Sequence, residues 1–304
     1  MDPNEINETE FRFSKDYKYL LRRYRTGQEK GSPDARAILD EVFAHGRGVP
    51  RDYKEAVKWL HKSAEQAEAK TQYKLGLMYE EGKGVSLDYK EAVRWFRKVA
   101  ERGDAKAQYK TGLMYESGKG VLPNGKEAER WFRKAACQEH KKAQFHLGLM
   151  YAKGLGVHQD YVLAHTWFHI AGSEGNKLAI KAKDMVEKEL TSSQIAESQY
   201  LLGQAYSRGI FVDKDYDEAI ELLRKAAEEG HAGSQCLLGE LFADKAEQKI
   251  TFWHSFPLSD QMREDNLDSL DRREAIKWHL KAAEQGFAKA QFNLGLMYGK
   301  GKVI

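Results

Sequence analysis

Between Thr71 and Lys106 the apolar residues fall in two helical rhythms separated by a glycine-rich break. Leu75, Met78 and Tyr79 stand at i, i+3 and i+4, the spacing of one helix face. After Gly82-Lys83-Gly84-Val85, a second run puts Ala92, Trp95, Phe96, Val99 and Ala100 on one side and Arg94, Arg97 and Lys98 on the other. The pattern predicts a helix A over 71–81 and a helix B from Asp88 to Gly103, joined by a loop whose glycine can take the left-handed cap conformation. Asp88 opens helix B as a cap for its first backbone N–H groups, with Glu91 reaching back to close a capping box. The same pairing recurs at Asp52 and Glu55, Asn124 and Glu127, Asp215 and Glu218, and Asp271 and Glu274.

The two-helix unit repeats. Trp59, Trp95, Trp131 and Trp167 recur every 36 residues, and Gly76, Gly112 and Gly148 keep the same beat. A unit of that length cannot bury its own apolar face and must stack on its neighbours, which predicts one elongated all-α body of antiparallel helix pairs without a central cleft. Gly76, Gly112, Gly148, Gly203, Gly239 and Gly295 all sit in the middle of a helix A, where glycine costs about 1 kcal/mol relative to alanine. Close approach of helix B's aromatic face to the helix A backbone explains the choice.

Carried outward, this frame gives repeats one to four over 35–178 and repeats five and six over 197–289, flanked by a tail and capping helix over 1–34 and a half repeat over 290–304. Asp16-Tyr17-Lys18 stands 36 residues before Asp52-Tyr53-Lys54, so residues 16 to 30 carry the helix B pattern alone. The beat slips twice. Gly148 and Gly203 are 55 residues apart, which predicts a helical spacer over 179–196 with a capping box at Thr191 and Gln194. Gly239 and Gly295 are 56 apart, which predicts an inserted loop over 244–268, apolar from Ile250 to Leu258 and acidic beyond it. The uncovered face of the half repeat 290–304 leaves fraying or self-association, including a homo-dimer through that half repeat.

Composition narrows the function. The 49 basic and 46 acidic residues are interspersed and leave a net charge of +3, without the concentrated basic face that nucleic acid requires. No apolar run reaches the roughly 18 residues of a membrane span, and the acidic start Met1-Asp2-Pro3-Asn4-Glu5 does not read as a secretory leader, so a cytoplasmic chain is expected. Cys137 and Cys236 sit far apart as small apolar residues. Gly82-Lys83-Gly84 and Gly118-Lys119-Gly120 lack the full phosphate-loop pattern. His165 and His169, with His158 nearby, lack a third ligand at metal-binding spacing. No catalytic constellation, metal or cofactor is expected.

Residues 107 to 121, Ala-Gln-Tyr-Lys-Thr-Gly-Leu-Met-Tyr-Glu-Ser-Gly-Lys-Gly-Val, followed by Glu-Ala-Glu-Arg-Trp-Phe-Arg-Lys-Ala-Ala at 127 to 136, resemble the Sel-one-like repeat family, a branch of the tetratricopeptide superfamily. The resemblance covers nearly all of 35–302, and 162–199 is also similar to the terminal repeat and trailing helices of bacterial members. It implies a right-handed α-solenoid and a role as adaptor or scaffold for protein complexes, often in bacterial signalling, envelope or host-contact pathways, without catalysis. The chain departs from the pattern at Asp40, where the glycine is expected, and at Leu222, where the tryptophan is expected, and it lacks the paired cysteines of the disulfide-bearing members.

Helix A carries a second apolar stripe beyond the one that holds helix B. Tyr73, Tyr109 and Phe145 stand four residues before Leu77, Leu113 and Leu149, and Lys70, Lys106 and Lys142 lie a turn earlier. In arrays the family resembles, this side faces the inner curve. Two readings stand: a groove for an extended or helical peptide, with lysines for its carboxylates, or packing between repeats. Phe252, Trp253, Phe256 and Leu258 in the insertion likewise either anchor a partner or fold back over the sixth unit. The expected function is a non-enzymatic adaptor that binds a protein or peptide. A regulatory subunit of an enzyme complex or a homo-oligomer is the alternative, and a secreted host-interacting effector the third.

Overall fold

The computed structural model describes His45 and residues 52–64, 68–254 and 270–299. The tail and capping helix 1–34, Asp40, Phe256 and Leu258 lie outside the described residues, as do the side chains of Trp59, Phe252 and Trp253. Among the described residues there are thirteen helices and no strand: α1 (Tyr53–Ala64), α2 (Ala69–Glu81), α3 (Tyr89–Ala100), α4 (Ala105–Ser117), α5 (Gly125–Ala136), α6 (Lys141–Lys153), α7 (Tyr161–Gly172), α8 (Lys177–Glu187), α9 (Ser192–Arg208), α10 (Tyr216–Glu228), α11 (Ala232–His254), α12 (Leu270–Glu284) and α13 (Ala288–Gly299). They form two compact units, divided between Ala143 and Gln144 inside α6. Each is an all-α stack of helix A and helix B pairs.

Within a pair, contact is made where the sequence places glycine. A Cβ added at Gly76 would stand 2.7 Å from the Phe96 ring, at Gly112 2.6 Å from Phe132, at Gly148 2.5 Å from Phe168 and at Gly239 2.8 Å from His279; at Gly203 it would run into Leu223. No real Cβ fits at such distances, so the glycine lets a bulky B side chain rest on the A backbone. The neighbouring tryptophan faces the preceding unit. Trp95 packs with Val57, Leu60 and Ala64 of α1 and Leu75 of α2, and Trp131 with Val99 and Ala100 of α3 and Ala107 of α4. Adjacent residues thus join a unit to itself and to its neighbour.

A glutamine near the start of helix A, buried at 72, 108 and 235 and exposed at 291, ties units through hydrogen bonds. Its amide donates to a carbonyl in the last turn of the preceding helix B: Gln72 to Ala64 at 2.9 Å, Gln108 to Ala100 at 3.2 Å, Gln235 to Ala227 at 3.0 Å and Gln291 to Ala283 at 3.1 Å. The caps of the B helices form as expected. The side chains of Asp52, Asp88, Asn124 and Asp215 each accept from backbone N–H groups of the first turn. Glu91 and Glu127 pair forward with Arg94 at 3.2 Å and Arg130 at 3.5 Å, whereas the reciprocal capping box is complete at Thr191 and Gln194.

Two expectations need correction. Residues 244–254 do not form a loop: α11 runs unbroken from Ala232 to His254 over 23 residues. The glycine that stops other A helices, as Gly82, Gly118 and Gly209 do in left-handed conformation, is missing here, and Ala243 to Gln248 are mostly strong helix formers. Asp271 is not a cap, since α12 begins at Leu270 and buries Asp271 in its first turn. The spacer is helical: Asn176 caps α8, accepting from Leu178 and Ala179, and α9 begins after Thr191.

Replacing Gly112 by leucine should lower the unfolding free energy by about 1 to 3 kcal/mol through overpacking against Phe132. Adding Phe132→Ala should recover part of that loss in denaturant titrations, whereas a G112L chain that unfolds with the wild type would remove the close-approach account.

Candidate functional site

The second stripe of helix A is divided between packing and solvent. Tyr73, Leu77, Tyr109 and Leu113 on α2 and α4 are half-buried, and Lys70, Lys106 and Lys142 are exposed. Tyr73 leans on Phe96 with ring centroids 5.5 Å apart, and Tyr109 on Phe132 at 5.8 Å. Each tyrosine therefore backs the ring that fills the glycine slot and keeps part of its surface outward. Burial first, then nearby acidic groups, pushes both phenols above their ordinary value. A half-buried ion pair between Lys110 of α4 and Glu80 of α2, 2.6 Å long, joins the two helices side by side. In the second unit Phe145 repeats the contact with Phe168 at 5.5 Å, and Leu149 is half-buried.

Two histidines that the sequence reading passed over belong to this stripe. His140 stands 36 residues after the cap Asp104, takes over its role by accepting from the Ala143 N–H at 3.3 Å, and stacks on Tyr109 with centroids 4.7 Å apart. Burial lowers its pKa; its own backbone hydrogen bond opposes that, and Lys142 and Lys106 lower it further. The two lysines therefore act on one spot. His231 does the same in the second unit, accepting from Ser234 at 3.0 Å, pairing with Glu197 at 2.9 Å and lying against Tyr200 at 5.0 Å. Their signal was the position, eight residues before the helix A glycines Gly148 and Gly239, where Asp104 stands before Gly112.

A second surface is a polar cavity of about 630 Å³ between α1, α2 and α3, lined by His61, Gln72, Arg94, Trp95, Lys98 and Arg102 among others. It opens where a repeated clamp is broken. Gln138 donates to the Gln108 side-chain oxygen at 2.9 Å, and Gln285 to that of Gln235 at 2.8 Å. At the matching position one repeat earlier stands Arg102, and the Gln72 oxygen and Trp95 Nε1 are buried without hydrogen-bond partners.

His165 and His169 serve the spacer. His165 is buried, with Nδ1 2.7 Å from the Ser198 hydroxyl of α9 and Nε2 3.6 Å from Glu187 of α8. His169 lies 3.9 Å from Glu218 of α10. Burial, then the neighbouring His165, Lys183 and Lys225, pushes the His169 imidazole down to about 4. Burial also lowers His165 and His279. Among the described residues no group of three or more His, Cys, Asp and Glu is placed to hold a metal ion, and no helix is long and apolar enough to cross a membrane.

Comparison with known proteins agrees with this geometry. The Sel1 repeat matches residues 41–68, 69–104, 105–140, 141–176, 196–231, 266–287 and 288–304. A protective antigen present in uropathogenic Escherichia coli strains, with an SLR fold, is similar at 30% identity and a TM-score of 0.54, over 95% of this chain and 68% of that one. A Sel1 repeat protein from Oxalobacter formigenes is 30% identical over 77% of this chain and 90% of its own, with a TM-score of 0.49. The chitin synthase regulator SKT5 of Saccharomyces cerevisiae is 30% identical over 128 residues, covering 35% of this chain and 18% of the regulator. The chain thus spans under a fifth of that relative.

The buried histidines set a direction for acid sensitivity. Their folded-state pKa values lie below the ordinary 6.5, so the unfolded chain takes up protons first. Stability is full above about pH 7 and is lost as pH falls through 6.5 towards 4, by at most about 3 kcal/mol for His169. Thermal melts at pH 7.5 and pH 5 should show the drop, and His169→Gln should reduce it; an equal drop in the variant would clear His169 of the effect.

Proposed function

The chain belongs to the Sel1 repeat family, and from that premise we propose that it is a non-catalytic adaptor whose helix A stripe binds an acidic peptide segment of a partner protein. One observation carries the reading. Tyr73, Leu77, Tyr109 and Leu113 are half-buried in a fixed row, beside exposed Lys70, Lys106 and Lys142. A residue needed for packing alone is better buried fully. Here ring contacts at 5.5 and 5.8 Å hold the tyrosines in place while one side stays open, so a ligand would find aromatic surface without ordering it first. The lysines add long-range attraction for carboxylates and salt-sensitive specificity.

The second reading, a regulatory subunit of an enzyme complex, is favoured by the similarity to the yeast chitin synthase regulator. It differs in the partner and not in the surface. A regulator also needs a docking face, and the same stripe would supply it.

Displayed-peptide selection on the purified chain should enrich sequences that combine acidic and apolar residues. Lys70→Glu, Lys106→Glu and Lys142→Glu together should raise the Kd of such a peptide at least tenfold with no change in melting temperature. Selected peptides without acidic bias, or a Kd unmoved by the triple variant, would refute the proposed use of the stripe.

A further inference from the structure

The repeat carries a polar clamp, and in one unit the clamp has lost its outer half. A glutamine just past the end of a helix B closes over the glutamine near the start of helix A in two units. Gln138 Nε2 donates to Gln108 Oε1 at 2.9 Å and to the Gly103 carbonyl at 2.7 Å, and Gln285 Nε2 donates to Gln235 Oε1 at 2.8 Å. Where Glu174 holds the outer position, Gln144 donates to the Phe211 carbonyl at 2.7 Å instead. In the unit of α2 and α3 the outer position holds Arg102. Gln72 keeps its bond to the Ala64 carbonyl, yet its Oε1 has no hydrogen-bond partner. That side chain is 3% exposed, so a buried acceptor goes unsatisfied where the other clamps supply a donor.

The cavity of about 630 Å³ lies where the missing half would stand, since both Gln72 and Arg102 line it. Arg94, Lys98 and Arg102 outnumber the lining acids Glu91 and Glu101. Both acids are engaged, Glu91 by Arg94 at 3.2 Å and Glu101 by Arg97 at 3.1 Å. The Lys98 ammonium lies 4.5 Å from the centre of the Trp95 ring. Trp95 Nε1 adds a buried donor without a partner, but so does Trp131 Nε1 in a unit whose clamp is closed. The glutamine oxygen, not the indole, marks this cavity.

An occupant has to bring an N–H to Gln72 Oε1 and an acceptor to the surrounding donors. A carboxylate would set oxygen against oxygen, and an ammonium would meet three basic side chains. A carboxamide has both groups on one carbon, and it is what closes the clamp at Gln138 and Gln285. We propose that this cavity binds the side-chain carboxamide of a glutamine in a partner polypeptide, its N–H donated to Gln72 Oε1 and its oxygen turned to Lys98, Arg102 and Trp95 Nε1. The partner thereby completes a clamp that the chain completes for itself elsewhere. The site shares no residue with the stripe of Tyr73, Leu77, Tyr109 and Leu113, and it stands or falls apart from that reading.

The test uses three blocked tripeptides, acetyl-Ser-Gln-Ser-amide and its Glu and Leu counterparts, titrated at millimolar concentration into the full chain labelled with nitrogen-15. The Gln peptide should move the Trp95 indole N–H signal, assigned by its loss in Trp95→Phe, and leave the Trp131 signal in place. The Glu and Leu peptides, which have the same backbone amides, should move neither. Arg102→Gln supplies the missing half from within, so it should melt above the wild type and raise the Kd of the Gln peptide at least tenfold. Arg102→Ala removes the same guanidinium without supplying a clamp and should still bind. A Trp95 signal that no peptide moves, or that the Glu or Leu peptide moves as far, overturns the proposal. So does binding retained in Arg102→Gln, or lost equally in Arg102→Ala.

Discussion

Where the ring of Phe96 meets the backbone of α2 at Gly76, two helices come closer than any side chain on that backbone would allow. The same contact is made by Phe132, Phe168, Leu223 and His279, so it sets the distance between A and B in five successive pairs. The adjacent tryptophan then has a fixed position from which to reach the preceding unit, as Trp95 and Trp131 do. Because the two side chains are neighbours on one helix, a change in the glycine contact also displaces the contact between units.

The substitutions that occur within this scheme show its tolerance. Leu222 and Leu223 replace the aromatic pair in α10 and remain buried, so the slot asks for volume and not for an aromatic ring. His279 fills it with an imidazole whose burial keeps it neutral near pH 7. That exchange leaves a buried ring nitrogen without a partner, a penalty that phenylalanine would not carry.

The helix pairs, their caps and the glycine contacts were legible because they recur: the contact read at Gly76 returns at Gly239. What the period does not cover was harder to read. The continuation of α11 past Ala243 required noticing that no glycine or proline stands between Gly239 and Pro257, a missing stop being less visible than a present one. The caps at His140 and His231 were hidden by residue type, since histidine is not a usual cap and only the place within the unit that they share with Asp104 identifies them. The stripe residues were nameable from spacing, but their half-burial depends on how far adjacent A helices hide each other, which is a tertiary quantity and leaves no trace in the pattern.

That half-burial joins the two readings the sequence left open. A ring wholly inside the stack offers a partner nothing, and a ring wholly outside would have to be ordered on binding. Tyr109 stands between, held by Phe132 on one side and by His140 on the other, with Lys106 and Lys142 acting on the same imidazole. The contacts that stack the repeats are therefore the ones that preorganise the exposed edge. Packing and recognition are two faces of one side chain, and a substitution of Tyr73 or Tyr109 disturbs both. The lysines, which pack against nothing that holds the helices together, are the part of the stripe in which recognition can be separated from stability.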